Sequence, residues 1–188
     1  NFIDPLIWLQ NFEVDKRYTD KIFAHNNIDK KKQTIIIREE EYKASYVDKK
    51  YPILYEVLPL INKMYDVNIV IIPRYESEYL KKEFPFAIVL DDKIYLQHLL
   101  AVSDLFIGGG GTINTEACFL GTPTISTRSF ISHYDKYQID KGMMVWVEDK
   151  DSLLENIDLY LNKNTKIDLS SLDSMHVDIK NIVNEIIN

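Results

Sequence analysis

At 188 residues, with 46% hydrophobic and 27% charged side chains, the chain is the size of one domain and carries enough apolar residues to bury a core. Its formal net charge of −7, from 22 Lys+Arg against 29 Asp+Glu, argues against the concentrated basic face of a nonspecific nucleic-acid binder, so no nucleic-acid partner is expected. The single cysteine, Cys118, excludes an internal disulfide, and no apolar run reaches the length of a membrane span or secretory segment, which sets the expectation of a cytoplasmic protein without a membrane span.

The first residue is Asn1 rather than Met, which fits a processed form or a domain taken from a longer protein. Residues 1–33 mix Trp8, Phe12, Tyr18 and Phe23 with charges and end in Lys30-Lys31-Lys32, a solvated turn; they show no clear period and read as an N-terminal extension or interdomain linker. Thr34–Arg38 is the first predicted strand, followed by a helix over 52–64, a strand over 68–73, a helix over 76–83 and a strand over 87–90. A helix over 95–102, the strand Leu105–Ile107, a helix over 112–120, the strand Thr124–Ile125, a helix over 133–141 and the strand Met144–Val147 continue the alternation. The last helix of the unit is predicted over 151–161, with Asp151 as N-cap and Leu153, Leu154, Ile157 and Leu161 as its apolar stripe. Strands that are continuous apolar runs suit a parallel sheet covered on both faces, and strict alternation with helices makes the class α/β, a Rossmann-like doubly wound parallel sheet over residues 34–163. Residues 164–188 read as a polar link and a C-terminal amphipathic helix marked by Ile179, Ile182, Val183, Ile186 and Ile187.

Five of the six glycines fall between positions 108 and 121, between an apolar strand and a predicted helix. A strand, a bare loop and a helix N-terminus make an anion site, because backbone N–H groups and the positive end of the helix dipole converge there. The loop lacks the third glycine and the acidic strand end of a dinucleotide fingerprint, and it lacks the lysine of a P-loop. With Thr112 as the expected N-cap, Glu116 lies one turn into the helix and leans back toward the loop. Two acceptor oxygens there suit a ribose diol; a carboxylate that only complements the helix dipole fits the residues equally well.

The stretch Leu90–Ser126, with Tyr95, Leu99-Leu100, Ser103-Asp104-Leu105, Gly109 to Gly111, Glu116-Ala117 and Leu120-Gly121-Thr122-Pro123, resembles the C-terminal half of GT-B-type sugar-nucleotide proteins. It is similar in particular to an uncharacterised, largely archaeal family related to lipid-A-disaccharide synthase and, more distantly, to UDP-N-acetylglucosamine 2-epimerases. The pattern runs on through Asp135–Gly142, so the resemblance covers roughly residues 34–148. It implies that Gly109, Gly110, Gly111 and Thr112 hold UDP phosphates and that Glu116 holds the ribose. Arg38 is a further phosphate candidate, because Ile37-Arg38-Glu39-Glu40 stands where the epimerases carry His-Arg-Arg-Glu-Asn. Pro73-Arg74-Tyr75 stands where they carry Pro-x-His, and Thr127-Arg128-Ser129-Phe130 replaces their Thr-Glu-Arg-Pro-Glu loop, so epimerase chemistry is not the leading expectation.

That leading expectation is the nucleotide-sugar-binding half of a GT-B-like glycosyltransferase, UDP-linked, needing neither metal nor cofactor and inactive without an N-terminal domain that supplies acceptor and base. A non-catalytic nucleotide-sugar sensing domain and a UDP-sugar 2-epimerase-like enzyme are the alternatives. Nothing in the sequence opposes a homo-oligomer. Arg74 and Arg128 directly follow strands and are either anion contacts or solvated surface arginines. His133 follows the fifth strand and is either a proton-transfer group or, the favoured reading, a helix-start residue. His98 reads as a packed residue of its helix, His25 and His176 have no partner at metal spacing, and Cys118 reads as a small buried hydrophobe.

Overall fold

The computed structural model describes residues 5–40, 53–75, 77–163, 167, 178 and 183–185. Six parallel strands form one sheet: β1 (Thr34–Arg38), β2 (Asn68–Ile72), β3 (Ile88–Val89), β4 (Leu105–Gly108), β5 (Thr124–Ser126) and β6 (Met144–Trp146), in the order β3-β2-β1-β4-β5-β6. Helices α3 (Ile53–Met64), α4 (Ser77–Glu83), α5 (Leu96–Leu100), α6 (Gly111–Phe119), α7 (His133–Asp140) and α8 (Lys150–Lys163) lie between and after them. The reversal of strand order falls between β1 and β4, where open α/β sheets place their ligands.

Alternation along each strand splits the core into two layers. Ile35, Ile37, Ile69, Ile71, Leu105 and Ile107 pack with Val57, Leu58 and Ile61 of α3 and Leu153, Ile157 and Leu161 of α8. Ile36, Val70 and Phe106 point the other way, onto Leu99 and Leu100 of α5 and Ala117 of α6. The apolar stripe predicted for the last helix is thus the stripe that docks, although its cap is not Asp151. Helix α8 starts one residue earlier, and Asp149 holds its first turn by accepting from the Ser152 amide at 2.8 Å and the Ser152 hydroxyl at 2.7 Å.

Residues 5–33 are more structured than their irregular pattern suggests. They carry α1 (Leu6–Leu9) and α2 (Lys16–His25), the latter capped by Asp15. Helix α2 lays Ile22 and Phe23 on the α5 side of the sheet, and α1 lays Leu6 and Leu9 against Cys118 and Phe119 of α6 and Met143 and Met144. His98 is the hinge of this docking: its ring meets Phe12 and Tyr18, with centroids 4.8 and 5.2 Å away, and its Nδ1 accepts from the Asp15 amide at 3.1 Å. Cys118 is fully buried, and burial pushes its thiol pKa up to about 12, in keeping with an inert core residue. Among the described residues no helix is long and apolar enough to cross a membrane. The amphipathic C-terminal helix falls, apart from residues 183–185, outside the described residues; those three are helical and exposed.

Candidate functional site

The loops that leave β1, β2, β4 and β5 at the C-terminal edge of the sheet surround a cavity of about 430 Å³. Of the nine site residues expected from sequence, eight line it: Arg38, Arg74, Gly109, Gly110, Gly111, Thr112, Glu116 and Arg128. His133 does not. It is exposed at the start of α7 with its ring beside Tyr134, and the cap of that helix is Ser132, which forms a capping box with Asp135.

The N-terminus of α6 opens into this cavity. Gly110, in an extended conformation, is its N-cap and supplies no side-chain acceptor, so the expected Thr112 cap is corrected: Thr112 already lies in the first turn. The first hydrogen bond back into the helix joins the Asn114 amide to the Gly110 carbonyl at 3.3 Å. The amides of Gly111, Thr112 and Ile113 precede it and have no intrahelical acceptor, which is the ordinary condition of a helix start and the physical basis of anion binding there. Gly109 plays a different part. Its N–H donates to the Arg38 carbonyl at 3.0 Å, so that amide is committed to the fold. A Cβ on Gly109 would run into Glu40, 2.7 Å from its Cα, so glycine here lets the loops after β1 and β4 touch.

Three guanidinium groups ring the loop. Arg128 is 12% exposed and pairs at 2.9 Å with Asp135, which is 1% exposed. Its guanidinium also sits 3.9 Å over the Phe130 ring. Arg38 donates through Nη1 to the carbonyls of Ile72 and Pro73, locking the end of β1 to the end of β2. Burial, and then the nearby Arg74 guanidinium, lower the Arg38 pKa, with Glu39 pulling the other way; an arginine stays protonated through such a shift. Arg74 is exposed at the rim.

Three carboxylates share the lining, and each is held by donors of the protein itself. Glu39 accepts from the Tyr55 hydroxyl and, at 2.8 Å, from the Arg74 amide. Glu40 accepts from the amide and hydroxyl of Ser129 at 2.9 and 2.7 Å. Glu116, 8% exposed, accepts at Oε1 from the Trp8 indole N–H at 2.9 Å and from the Gln97 amide at 3.1 Å. A second cavity of about 270 Å³ lies across the same helix start. Gly111, Thr112 and Arg128 line both, and Trp8, Tyr134 and Asp135 are among its other walls.

Sequence reasoning passed over Glu39, Glu40, Gln97 and Trp8. The acidic run that follows Arg38 at a strand end was the available sign for the first two, since consecutive buried carboxylates need consecutive donors. Trp8 and Gln97 gave no sign, because their partner lies 108 and 19 residues away.

A six-stranded parallel sheet with flanking helices and a ligand-sized cavity at its switch point is the Rossmann-like unit of the GT-B type, and solved structures bear out that fold. UDP-GlcNAc 2-epimerase from Methanocaldococcus jannaschii, in complex with UDP-GlcNAc and UDP, matches with a TM-score of 0.62 at 18% identity, over 87% of this chain and 46% of its own. The spinosyn rhamnosyltransferase SpnG, complexed with thymidine diphosphate, gives 0.59 at 16% identity, over 75% and 40%. UDP-GlcNAc 2-epimerase from Neisseria meningitidis, bound to UDP-GlcNAc, gives 0.60 at 15%, over 86% and 43%. Over residues 6–188 the chain matches, and belongs to, the family described as "Protein of unknown function (DUF354)". The uncharacterized protein MJ0665 of Methanocaldococcus jannaschii is 34% identical over 121 residues, which are 64% of this chain and 36% of that relative. The chain therefore spans about a third of its curated relative and under half of these structural neighbours.

Proposed function

We propose that the chain is the donor-binding half of a GT-B-like glycosyltransferase and that its ligand is a nucleotide sugar, UDP-linked. The observation that carries this is the open N-terminus of α6, facing a cavity that also holds Arg38, Arg74 and Arg128 and, one turn along, the carboxylate of Glu116. In this reading the amides of Gly111 to Ile113 take the diphosphate, the arginines balance its charge, and Glu116 accepts from the ribose hydroxyls. In glycosyl transfer the bond from the anomeric carbon to the diphosphate oxygen breaks, and the electron pair leaves with the diphosphate. An acceptor hydroxyl forms the new bond and gives its proton to a base. Oriented amides and the helix dipole stabilise the charge that builds on the leaving group. Acceptor and base are assigned to an N-terminal domain across a cleft, in line with a chain that spans under half of its structural neighbours. The kinship with lipid-A-disaccharide synthase and a cytoplasmic setting belong to the same proposal. The epimerase-like alternative lacks support at Pro73-Arg74-Tyr75, where Tyr75 stands in place of the epimerases' histidine.

A thermal-shift panel of nucleoside diphosphates and nucleotide sugars tests the proposal. Half a cleft is expected to bind UDP with a Kd of ~0.1 to 1 mM, about 4 to 5.5 kcal/mol. At 100 times Kd such a ligand adds about 2.7 kcal/mol to stability, a rise of roughly 5 to 10 °C for a chain of this size. Selective response to uridine ligands, with transfer only when the N-terminal half is supplied, is the expected result. Indifference to every nucleotide would refute it; nucleotide binding without transfer in the two-domain protein would favour the sensing domain.

A further inference from the structure

Trp8 comes from the first helix of the chain and yet touches the interior of the candidate site. Helix α1 is seated by Leu6 and Leu9, both buried. Trp8 contributes little to that seat: it is 46% exposed, a wasteful position for a large apolar ring if packing were its only role. Its indole N–H instead reaches Glu116 Oε1 at 2.9 Å, and Gln97 donates to the same oxygen at 3.1 Å. Two fixed donors on one oxygen set the plane of a carboxylate. Among the described residues Trp8 and Gln97 both donate to Oε1, so Oε2 is the oxygen left to a ligand.

We infer that Trp8 is a positioning residue for ribose recognition: through its hydrogen bond to Oε1 it holds Glu116 in the orientation in which Oε2 accepts from a nucleotide's ribose hydroxyl. The inference rests on the nucleotide reading above and adds to it that the segment before the Rossmann unit is part of the binding machinery. Phenylalanine keeps the ring and removes the N–H, so Trp8→Phe isolates the hydrogen bond from the packing.

Calorimetry of UDP and 2′,3′-dideoxy-UDP on the 188-residue chain is the test. The parent is expected to prefer UDP, and Trp8→Phe to cut that preference by about fivefold, the effect of one hydrogen bond. Affinity for 2′,3′-dideoxy-UDP should stay within about twofold, because that ligand has no ribose hydroxyl to offer. A merely structural role would weaken both ligands together and leave the ratio unchanged. A folded Trp8→Phe protein with the parent's ratio overturns the inference while leaving nucleotide binding intact; a parent that binds neither ligand overturns the nucleotide reading and this one with it. If the variant does not fold, the Trp8 indole N–H resonance of the parent decides. It should move with UDP and stay put with 2′,3′-dideoxy-UDP, and equal movement with both overturns the inference.

Discussion

Two neighbouring glycines in the loop should respond to substitution in opposite ways. At Gly110 an added Cβ meets only Ile113 Cγ2, at 3.7 Å, and the backbone, at φ −132° and ψ 141°, is one that any L-residue adopts. Gly110→Val should therefore fold, with a stability change inside about 1 kcal/mol and a Tm within roughly 4 °C of the parent. Its bulk stands at the mouth of the helix start, where it interferes with ligand approach to the free amides. Losing one hydrogen bond to a charged phosphate removes about 1.5 to 3 kcal/mol, so UDP affinity should fall roughly 10- to 100-fold. At Gly109 the added Cβ collides with Glu40, including its Cα at 2.7 Å, and relief requires the loop after β1 to move. Gly109→Ala should lose about 1 to 3 kcal/mol from overpacking and melt several degrees lower. Differential scanning fluorimetry and calorimetry with UDP, run on both variants, separate the two effects. A folded Gly110→Val protein with the parent's UDP affinity would refute the phosphate role of the α6 amides; a Gly109→Ala protein as stable as the parent would refute the packing role of Gly109.

Glu116→Gln keeps the shape of the side chain and weakens its charge-assisted bonds, so UDP affinity should drop by about 1 kcal/mol and the 2′,3′-dideoxy analogue should show little further loss in the mutant. If the analogue loses as much in the mutant as in the parent, Glu116 does not touch the ribose. Asp135→Ala leaves Arg128 without its ion pair and opens the capping box of α7, which should destabilise by about 3 kcal/mol and lower Tm by roughly 6 to 12 °C; Lys81→Ala, whose partners Glu78 and Asp91 are solvated, should shift it by less than about 2 °C. Cys118 should resist a thiol reagent at pH 8 until the protein unfolds. Because burial raises its pKa to about 12, the folded state keeps a proton that the unfolded thiol gives up near pH 9, so this residue's contribution makes stability fall as pH rises from about 9 toward 12. A thiol titrated rapidly in native protein would contradict that burial.

The sheet was legible because its central strands β1, β2 and β4 are mostly apolar runs buried on both faces, and such runs stand out against polar loops: Thr34–Arg38 and Asn68–Ile72 came through with an end residue's error at most. The glycine loop was legible for a related reason, since a bare backbone between strand and helix has few uses. The first 33 residues were not. Helix α2 has buried positions at Thr19, Ile22 and Phe23 only, one short face, and α1 is a single turn held by Leu6 and Leu9. A single turn is too short to show a period, the two apolar positions of that face in α2 are too few to stand out among its charges, and both helices depend on tertiary packing. The caps were each misplaced by two positions, at Thr112 and Asp151, because glycine and aspartate both serve at N-caps and several candidates stood in a row.

Three glutamates beside three arginines look at first like a poor anion site, and the hydrogen bonds give two of those carboxylates a structural task of their own. Glu39 and Glu40 face Tyr55, the Arg74 amide and Ser129, each of them a neutral donor of the fold. Through those bonds Glu39 joins the loop after β1 to the loop after β2, and Glu40 joins it to the loop after β5. Arg38 adds a further tie across the ends of β1 and β2 through the carbonyls it reaches. The carboxylates therefore act as cross-braces among the loops that carry the site, fixing where Arg74 and Arg128 can stand before any ligand arrives. Geometry set in advance lowers the entropy lost on binding, which matters most for a half-cleft with only one wall to hold its ligand. It also separates two kinds of substitution at the same rim: removing Glu40 should loosen the β5 loop and weaken every ligand alike, whereas removing Glu116 should be felt only by ligands that carry a ribose diol.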